Sequence, residues 1–223
     1  NKEEFINKLN ILVNENHFQI SKLTHFQITY GTSWIYRNNE SNEIVANCHK
    51  VPQKQFSKEI LSIETIEKSI YNTVQLIQKV NPNCSFIFTV SPVRHIKDGF
   101  VENSLSKSHL ITALQKTINQ QPTSINYFPS FEIMMDELRD YRFYTEDMLH
   151  PNQTAIDYIW IKFFENYVNE KEFATMNKVC DIQKALKHRP LNPNTDSHKK
   201  FLESLNKKIQ FLENVYPMWK FLE

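Results

Sequence analysis

The stretch Cys84-Ser-Phe-Ile-Phe-Thr-Val90 decides the fold prediction, because it is almost continuously apolar and has the length of one strand. A strand that is apolar on both faces is typical of the interior of a parallel sheet, where helices cover both sides. Asn81-Pro-Asn83 precedes the stretch as a stop signal, and the polar loop Ser91-Pro-Val-Arg-His95 follows it. We therefore expect a buried parallel strand with polar side chains at its carboxyl end.

Helices and strands alternate on both sides of this strand, as the spacing of apolar residues indicates. The predicted strands are 25–30, 43–46, 84–90 and 125–128, and the predicted helices are 2–14, 60–80, 104–119 and about 153–168. In the last of these helices we expect buried side chains at Ile156, Ile159, Trp160, Phe163 and Phe164. The alternation predicts an α/β fold with a mostly parallel sheet flanked by helices.

The C-terminal part of the chain has a different pattern, with two charged helical segments and no strand signal. The helices are predicted at 171–187 and 197–215, and the proline-containing turn His188-Arg-Pro-Leu-Asn-Pro193 separates them. We therefore divide the chain into an α/β domain at 1–170 and a helical extension at 171–223 that packs on it.

Composition excludes several classes of protein. The 26 basic and 25 acidic side chains leave a net charge of +1, which gives no reason to expect a nucleic-acid partner. No apolar run reaches the ~18 residues of a membrane span. The three cysteines, Cys48, Cys84 and Cys180, are too widely spaced for a disulfide framework or a metal site. We expect a cytoplasmic protein without a metal or cofactor, and the oligomeric state stays open.

Three polar clusters follow predicted strands or loops that approach the same edge of the sheet. They are Gly31-Thr32-Ser33, the pair Arg94-His95, and Asp147-Met-Leu-His150. The carboxyl ends of parallel strands meet at one edge, where α/β enzymes place their ligands. Each cluster also has a structural interpretation: a tight turn at 31–33, pairing of Arg94 or His95 with Asp98 or Asp136, and an ordinary surface loop at 147–150.

Asp147 and His150 have the residue types of a catalytic base and its orienting carboxylate. The carboxylate holds the imidazole in one tautomer, and the other ring nitrogen takes a proton from a nucleophile. Gly31 and Ser33 can donate hydrogen bonds to an oxyanion, and Arg94 and His95 can bind an anionic or carbonyl-bearing substrate. His49 lies in a loop from which it can reach the same cleft.

Four longer motifs carry a family resemblance. They are Ile-Thr-Tyr-Gly-Thr-Ser-Trp-Ile-Tyr36, Ala-Asn-Cys-His-Lys-Val-Pro52, Thr-Val-Ser-Pro-Val-Arg-His95, and the run from Tyr127 to Pro151 that contains Asp147 and His150. Together they resemble the GSCFA-domain family, which is similar to the SGNH (GDSL-like) esterases. The resemblance begins near His25 and continues to the C-terminus.

The resemblance implies a three-layer αβα sandwich of flavodoxin-like type and a serine ester hydrolase that acts on a small acyl ester or a carbohydrate ester. Asp147 and His150 match the family's Asp-x-x-His pair, while Ser33 stands where SGNH enzymes have an asparagine oxyanion donor. The Gly-Ser-Cys-Phe-Ala segment that carries the expected nucleophile is absent from the sequence. The chain therefore resembles the C-terminal portion of a family member, without its first strand, and we expect it to be inactive alone.

Two alternatives remain open at this point. The first is a hydrolase that uses a nucleophile within the chain, with Ser33, Ser91 and Cys48 as candidates. The second is a ligand-binding or scaffold module without catalysis. The distance from each candidate nucleophile to His150 bears on the first alternative.

Overall fold

The computed structural model describes residues 1–48, 50–120, 124–190, 192–217 and 219–221. The chain divides into two compact units, Asn1–Trp160 and Ile161–Glu223. The boundary between the units lies inside a helix, whereas the predicted domain division lies at residue 170. None of the helices in the described ranges combines the length and apolar character that a membrane crossing needs.

Strands and helices alternate along the first unit, as predicted. The strands are β1 (His25–Tyr30), β2 (Trp34–Asn38), β3 (Ile44–Val45), β4 (Phe56–Ile60), β5 (Ser85–Val90) and β6 (Ile125–Phe128). The helices are α1 (Lys2–Ile20), α2 (Ile63–Val80), α3 (Phe100–Gln120), α4 (Ser130–Glu132) and α5 (Gln153–Tyr167), with a π-helical turn at Ile133–Glu137. Both β1 and β6 have the predicted bounds, while α1 and α3 extend beyond theirs.

The central sheet has the order β1-β5-β6, and both pairings are parallel. Phe86 and Phe88 of β5 are fully buried and pack in one core with residues of α2 and α3. Thr89, whose side chain points to the opposite face of the strand, shares a hydrogen bond of 2.7 Å with Ser130 of α4. Helices therefore contact both faces of β5, and the predicted α/β class with a parallel sheet is confirmed.

A second sheet lies between β1 and α2 in the sequence, with the order β3-β2-β4 and antiparallel pairings. Only β3 was predicted, as the strand at 43–46. Instead of ending in a loop, the Gly31-Thr32-Ser33 segment leads directly into β2. Trp34, the first residue of β2, pairs with Ile60, the last residue of β4, so the sheet joins residues that are distant in sequence.

The predicted burial of the apolar side chains of α5 is largely wrong. The buried residue of this helix is Ala155, while Ile156 and Trp160 are 48% and 46% exposed and Ile159, Phe163 and Phe164 are half-buried. Helical spacing identifies an apolar face but not the element that covers it. The small Ala155 side chain marks the side on which α5 packs closely.

The second unit contains the C-terminal end of α5 and the helices α6 (Phe173–Lys187) and α7 (Asp196–Val215). Its core is small and is formed by residues from α6 and α7, namely Ile182, Leu205, Ile209 and Leu212. Tyr216 and Trp219 stack at 4.1 Å between ring centroids and pack against this core. The two predicted C-terminal helices are confirmed with small changes in their bounds.

Candidate functional site

The loop before α5 is closed by backbone hydrogen bonds that fold the Asp-x-x-His segment back on itself. Tyr144 and Pro151 form an isolated antiparallel bridge, and the Thr145 N–H donates to the His150 carbonyl at 2.8 Å. Met148 adopts a left-handed conformation with φ 59°, which is uncommon for a bulky residue. This turn brings Asp147 and His150 to the same side of the loop.

Asp147 and His150 form the contact that the sequence predicts. His150 Nδ1 lies 2.6 Å from Asp147 Oδ2. The other carboxylate oxygen, Oδ1, accepts from Thr145 Oγ1 at 2.6 Å and from the N–H groups of Leu149 and His150 at 2.8 and 3.0 Å. Led by the bond from Thr145, these hydrogen bonds hold the pKa of Asp147 well below its usual range. Because an ionised carboxylate only accepts, Nδ1 carries the proton.

The second nitrogen of the His150 ring remains accessible. The side chain of His150 is 57% exposed, and in the described part of the chain Nε2 has no hydrogen-bond partner. With Nδ1 protonated, Nε2 has a free lone pair that can accept a proton. The pair therefore has the geometry of a general base held in one orientation by a carboxylate.

The loop after β5 lies beside this pair. The Arg94 N–H donates to the Leu149 carbonyl at 3.2 Å, and the Arg94 guanidinium lies 4.3 Å from the ring centroid of Tyr144. Asp98 pairs with Lys58, and among the described residues Arg94 forms no ion pair with Asp98 or Asp136. Arg94 thus stacks on an aromatic side chain of the loop that carries His150.

His95 reaches across to the end of β1. A Cβ atom placed on Gly31 would lie only 3.3 Å from His95 Nε2, so the absence of a side chain at Gly31 permits this close approach. Burial lowers the pKa of the His95 imidazole, and the charges of Lys107 and His150 lower it further. A neutral imidazole at this position can donate or accept one hydrogen bond.

Ser33 is turned away from this edge toward α3. Its N–H donates to Ser106 Oγ at 2.8 Å, and its hydroxyl donates to the Ser106 carbonyl at 3.2 Å. Thr32 Oγ1 also lies 2.9 Å from Ser106 Oγ. These contacts match the structural interpretation of the 31–33 cluster, and the predicted oxyanion role of Ser33 stays a prediction.

The three candidate nucleophiles are not joined to the His150 ring. Ser33 bonds to Ser106, Ser91 Oγ accepts from the Val93 N–H at 3.2 Å, and Cys48 is a half-buried free thiol. Among the described residues, none of them hydrogen-bonds to His150. His49 lies outside the described residues. In the same ranges no group of three or more His, Cys, Asp or Glu residues is arranged to hold a metal ion.

Sequence reasoning missed two residues of this region. Thr145 is the main hydrogen-bond donor to Asp147, and its position two residues before the carboxylate is the one signal for it. Lys107 is 1% exposed, and its ammonium donates to the Gly31 and Ser91 carbonyls at 2.7 Å each. Helical spacing could have indicated that Lys107 is buried, since it lies three residues before the buried Leu110 on the core face of α3.

Comparison with protein families gives two matches. The model described as GSCFA family matches residues 1–163, and the model described as GSCFA domain protein, C-terminal domain, matches residues 179–223. The first match includes α1, for which the sequence motifs gave no resemblance. No curated protein matches the chain.

Proposed function

The chain belongs to the GSCFA family, and from this premise we propose that it supplies the base and the orienting carboxylate of a serine ester hydrolase. One observation carries the proposal: His150 Nδ1 bonds to Asp147 Oδ2 at 2.6 Å, while the exposed Nε2 has no hydrogen-bond partner among the described residues. The proposed substrates are small acyl esters, with O-acetylated carbohydrates as one class. The proposed nucleophile is a serine on a segment outside residues 1–223.

In the proposed reaction, Nε2 of His150 removes the proton of the serine hydroxyl while its oxygen bonds to the ester carbonyl carbon. The imidazolium that forms is stabilised by Asp147. His150 then returns the proton to the alkoxide leaving group as the carbon–oxygen bond breaks. Water hydrolyses the acyl-serine by the same proton transfers in reverse.

The negative charge on the carbonyl oxygen needs hydrogen-bond donors. The N–H and hydroxyl of Ser33 already bond to Ser106, so we assign the oxyanion contact to the backbone of Gly31 and to His95. The Arg94 backbone bonds to Leu149, the residue before His150, and we assign its guanidinium to the acyl or alcohol portion of the substrate. These roles are consistent with the positions of the residues, since Gly31 follows β1 and the loop with Arg94 and His95 follows β5.

The outer edge of β1 fits the strand that would carry the serine. Thr24 and Tyr30 accept hydrogen bonds from β5, so by alternation the backbone groups of Gln27 and Thr29 point away from β5. No described strand pairs with that edge. A parallel strand added there would end beside Gly31, at the same sheet edge as His150.

We propose that the complete arrangement is a three-layer αβα sandwich of the SGNH type. α2 and α3 pack on one face of the parallel sheet and α4 contacts the other, which supports this proposal. The added strand would extend the sheet at β1, whose residues His25, Gln27 and Thr29 are exposed. A cytoplasmic location is proposed as well, supported by three cysteines that are all free thiols.

The experiment is a p-nitrophenyl acetate assay of the longer protein that includes the Gly-Ser-Cys-Phe-Ala segment. We expect His150→Ala to lower kcat by about 100- to 10,000-fold, the usual contribution of a general base. Asp147→Asn should also lower kcat, because the carboxylate no longer orients the ring.

Glu146→Gln is the matched control, since Glu146 is exposed in the same loop and lies next to Asp147. It should retain the activity of the unmodified protein. Equal rates for the unmodified protein and His150→Ala would refute the esterase and would favour the ligand-binding module. A retained rate in a variant without the segment's serine would instead favour a nucleophile within the chain.

A further inference from the structure

Lys107 is a charged side chain in a place where packing alone would favour an apolar one. It is 1% exposed and lies on the same face of α3 as the buried Leu110 and Leu114. Taking an ammonium group out of water is unfavourable unless a carboxylate or several hydrogen bonds compensate for the lost solvation. The groups around Lys107 therefore indicate why a charge is placed there.

The compensation comes from two backbone carbonyls. The Lys107 ammonium donates to Gly31 O and to Ser91 O, each at 2.7 Å, and lies 5.5 Å from the ring centroid of Phe131. In the described chain, no carboxylate oxygen lies within 4.0 Å of the ammonium nitrogen. Gly31 and Ser91 are the first residues after β1 and β5. Lys107 therefore joins the carboxyl ends of two neighbouring strands without neutralising its charge.

α3 also bonds to the backbone of His95, whose ring lies beside Gly31 at the end of β1. One turn before Lys107, the Asn103 side-chain oxygen accepts from the His95 N–H at 2.8 Å. The His95 ring in turn contacts Gly31, whose carbonyl is bound by Lys107. Two residues of α3 therefore hold the surroundings of the imidazole: Asn103 binds the His95 backbone, and Lys107 binds the strand end beside the ring.

The same arrangement acts on the charge of His95. The ionisable groups that act on it are Lys107 from α3 and His150 from the loop before α5, and both oppose its protonation. Burial also lowers the pKa of Lys107 itself, to about 8. Near neutral pH the Lys107 ammonium, which is bound to the two strand ends, carries the positive charge, and the His95 imidazole is neutral.

We propose that Lys107 is a positioning residue of the site, which ties Gly31 to Ser91 and thereby fixes the strand end beside which the His95 ring lies. The tie follows from the contacts alone, and the positive charge of Lys107 also opposes protonation of the His95 ring. The use of His95 as a hydrogen-bond donor to substrate rests on the proposed function.

The test is an NMR titration of the His95 ring in the 1–223 chain, with the signal assigned by a His95→Gln variant. In Lys107→Met, which keeps the length of the side chain and removes the charge, the titration midpoint of His95 should move to higher pH. In Lys107→Arg, which keeps the charge, the midpoint should return toward that of the unmodified chain. A folded Lys107→Met variant with an unchanged His95 midpoint would show a packing role only and would overturn the proposal.

A measurement on the unmodified chain keeps the proposal testable if Lys107→Met does not fold. The ¹⁵Nζ signal of Lys107 should show slow proton exchange, because the ammonium is buried and bound to two carbonyls. Fast exchange would overturn the proposal. Neither readout needs esterase activity, so an inactive longer protein with the expected His95 shift would refute only the proposed function.

Discussion

The carboxylate of Asp147 accepts four hydrogen bonds, and the bond from Thr145 contributes most to its acidity. We expect Thr145→Val to raise the pKa of Asp147, because an isosteric methyl group replaces the donor. A depressed carboxyl pKa stabilises the folded chain at pH values above the unfolded pKa, and this stabilisation is lost as the pH falls through the folded pKa. In Thr145→Val the loss should therefore be smaller and should be complete at higher pH, because the folded pKa lies closer to the unfolded one.

The measurement is a ¹³C NMR titration of the Asp147 side-chain carboxyl. Thr145→Ser is the matched variant, because it retains a hydroxyl at the same position and should retain a low midpoint. Equal midpoints in the valine and serine variants would contradict the role assigned to the Thr145 hydroxyl.

Because Lys107 is buried, the free energy of unfolding should depend on pH at alkaline values. Burial lowers its pKa from 10.5 to about 8, so between these values the unfolded chain binds more protons than the folded chain. Stability contributed by this group therefore rises with pH across that interval, by at most about 1.4 kcal/mol per pH unit. Urea unfolding at several pH values should show this rise in the unmodified chain and not in Lys107→Met.

The comparison between the two proteins isolates Lys107 from other groups. Burial raises the pKa of Tyr30 to about 12 and raises the pKa of the Cys84 thiol, and both effects lower stability at high pH. These groups are present in both proteins, so their effects cancel in the difference. A difference that stays constant between pH 8 and 10.5 would show that Lys107 has an ordinary pKa.

Residue-level prediction from the sequence succeeded where the interaction is local. Asp147 and His150 are three residues apart in one short loop, so their contact could be expected before the fold was known. Ser33 and Lys107 depend on contacts across more than 70 residues, with Ser106 and Gly31 respectively. Nothing in the neighbouring residues indicates which way such side chains turn, so Lys107 was missed, and for Ser33 the sequence left both a structural turn and an oxyanion role open.

At the scale of single elements, β1 is an edge strand with one row of backbone groups that pair with β5. The amides of Phe26 and Ile28 face β5, while those of Gln27 and Thr29 face outward. In the 1–223 chain we expect slow hydrogen exchange at the first pair and fast exchange at the second, measured by NMR on each amide.

The same amides report on the proposed added strand. In the longer protein that contains the Gly-Ser-Cys-Phe-Ala segment, Gln27 and Thr29 should become protected, while Phe26 and Ile28 stay protected. Fast exchange at Gln27 and Thr29 in the longer protein would mean that no strand pairs with this edge. The nucleophile would then have to reach His150 by another route.

The antiparallel sheet shows why some elements were not predicted. β4 has the sequence Phe-Ser-Lys-Glu-Ile60, in which two adjacent charged residues obscure any alternation of apolar and polar positions. Its extended conformation is stabilised by pairing with β2, including the ion pair of Arg37 with Glu59 at 2.5 Å. β5, by contrast, carries five consecutive buried residues, and its apolar run alone was sufficient to predict it.

At the scale of the whole molecule, the class of the fold followed from the order of elements, whereas their packing did not. The alternation of β1, α2, β5, α3 and β6 predicts a parallel sheet because helical crossovers connect parallel neighbours. Which faces are covered depends on partners that periodicity does not identify. α5 illustrates this limit, because its largest apolar side chains are exposed or half-buried while Ala155 is buried.

Among the described residues of the C-terminal unit, four buried side chains form the core, so each of them should carry a large share of its stability. We expect Ile209→Ala, at a position 4% exposed, to lower the free energy of unfolding of this unit by about 2–5 kcal/mol. Leu202→Ala on the same helix, 43% exposed, should lower it by less than about 1 kcal/mol. The probe is the fluorescence of Trp219, which packs against this core, in a background with Trp34→Phe and Trp160→Phe. Equal losses for the two variants would mean that the stability of the unit does not come from the side chains packed between α6 and α7.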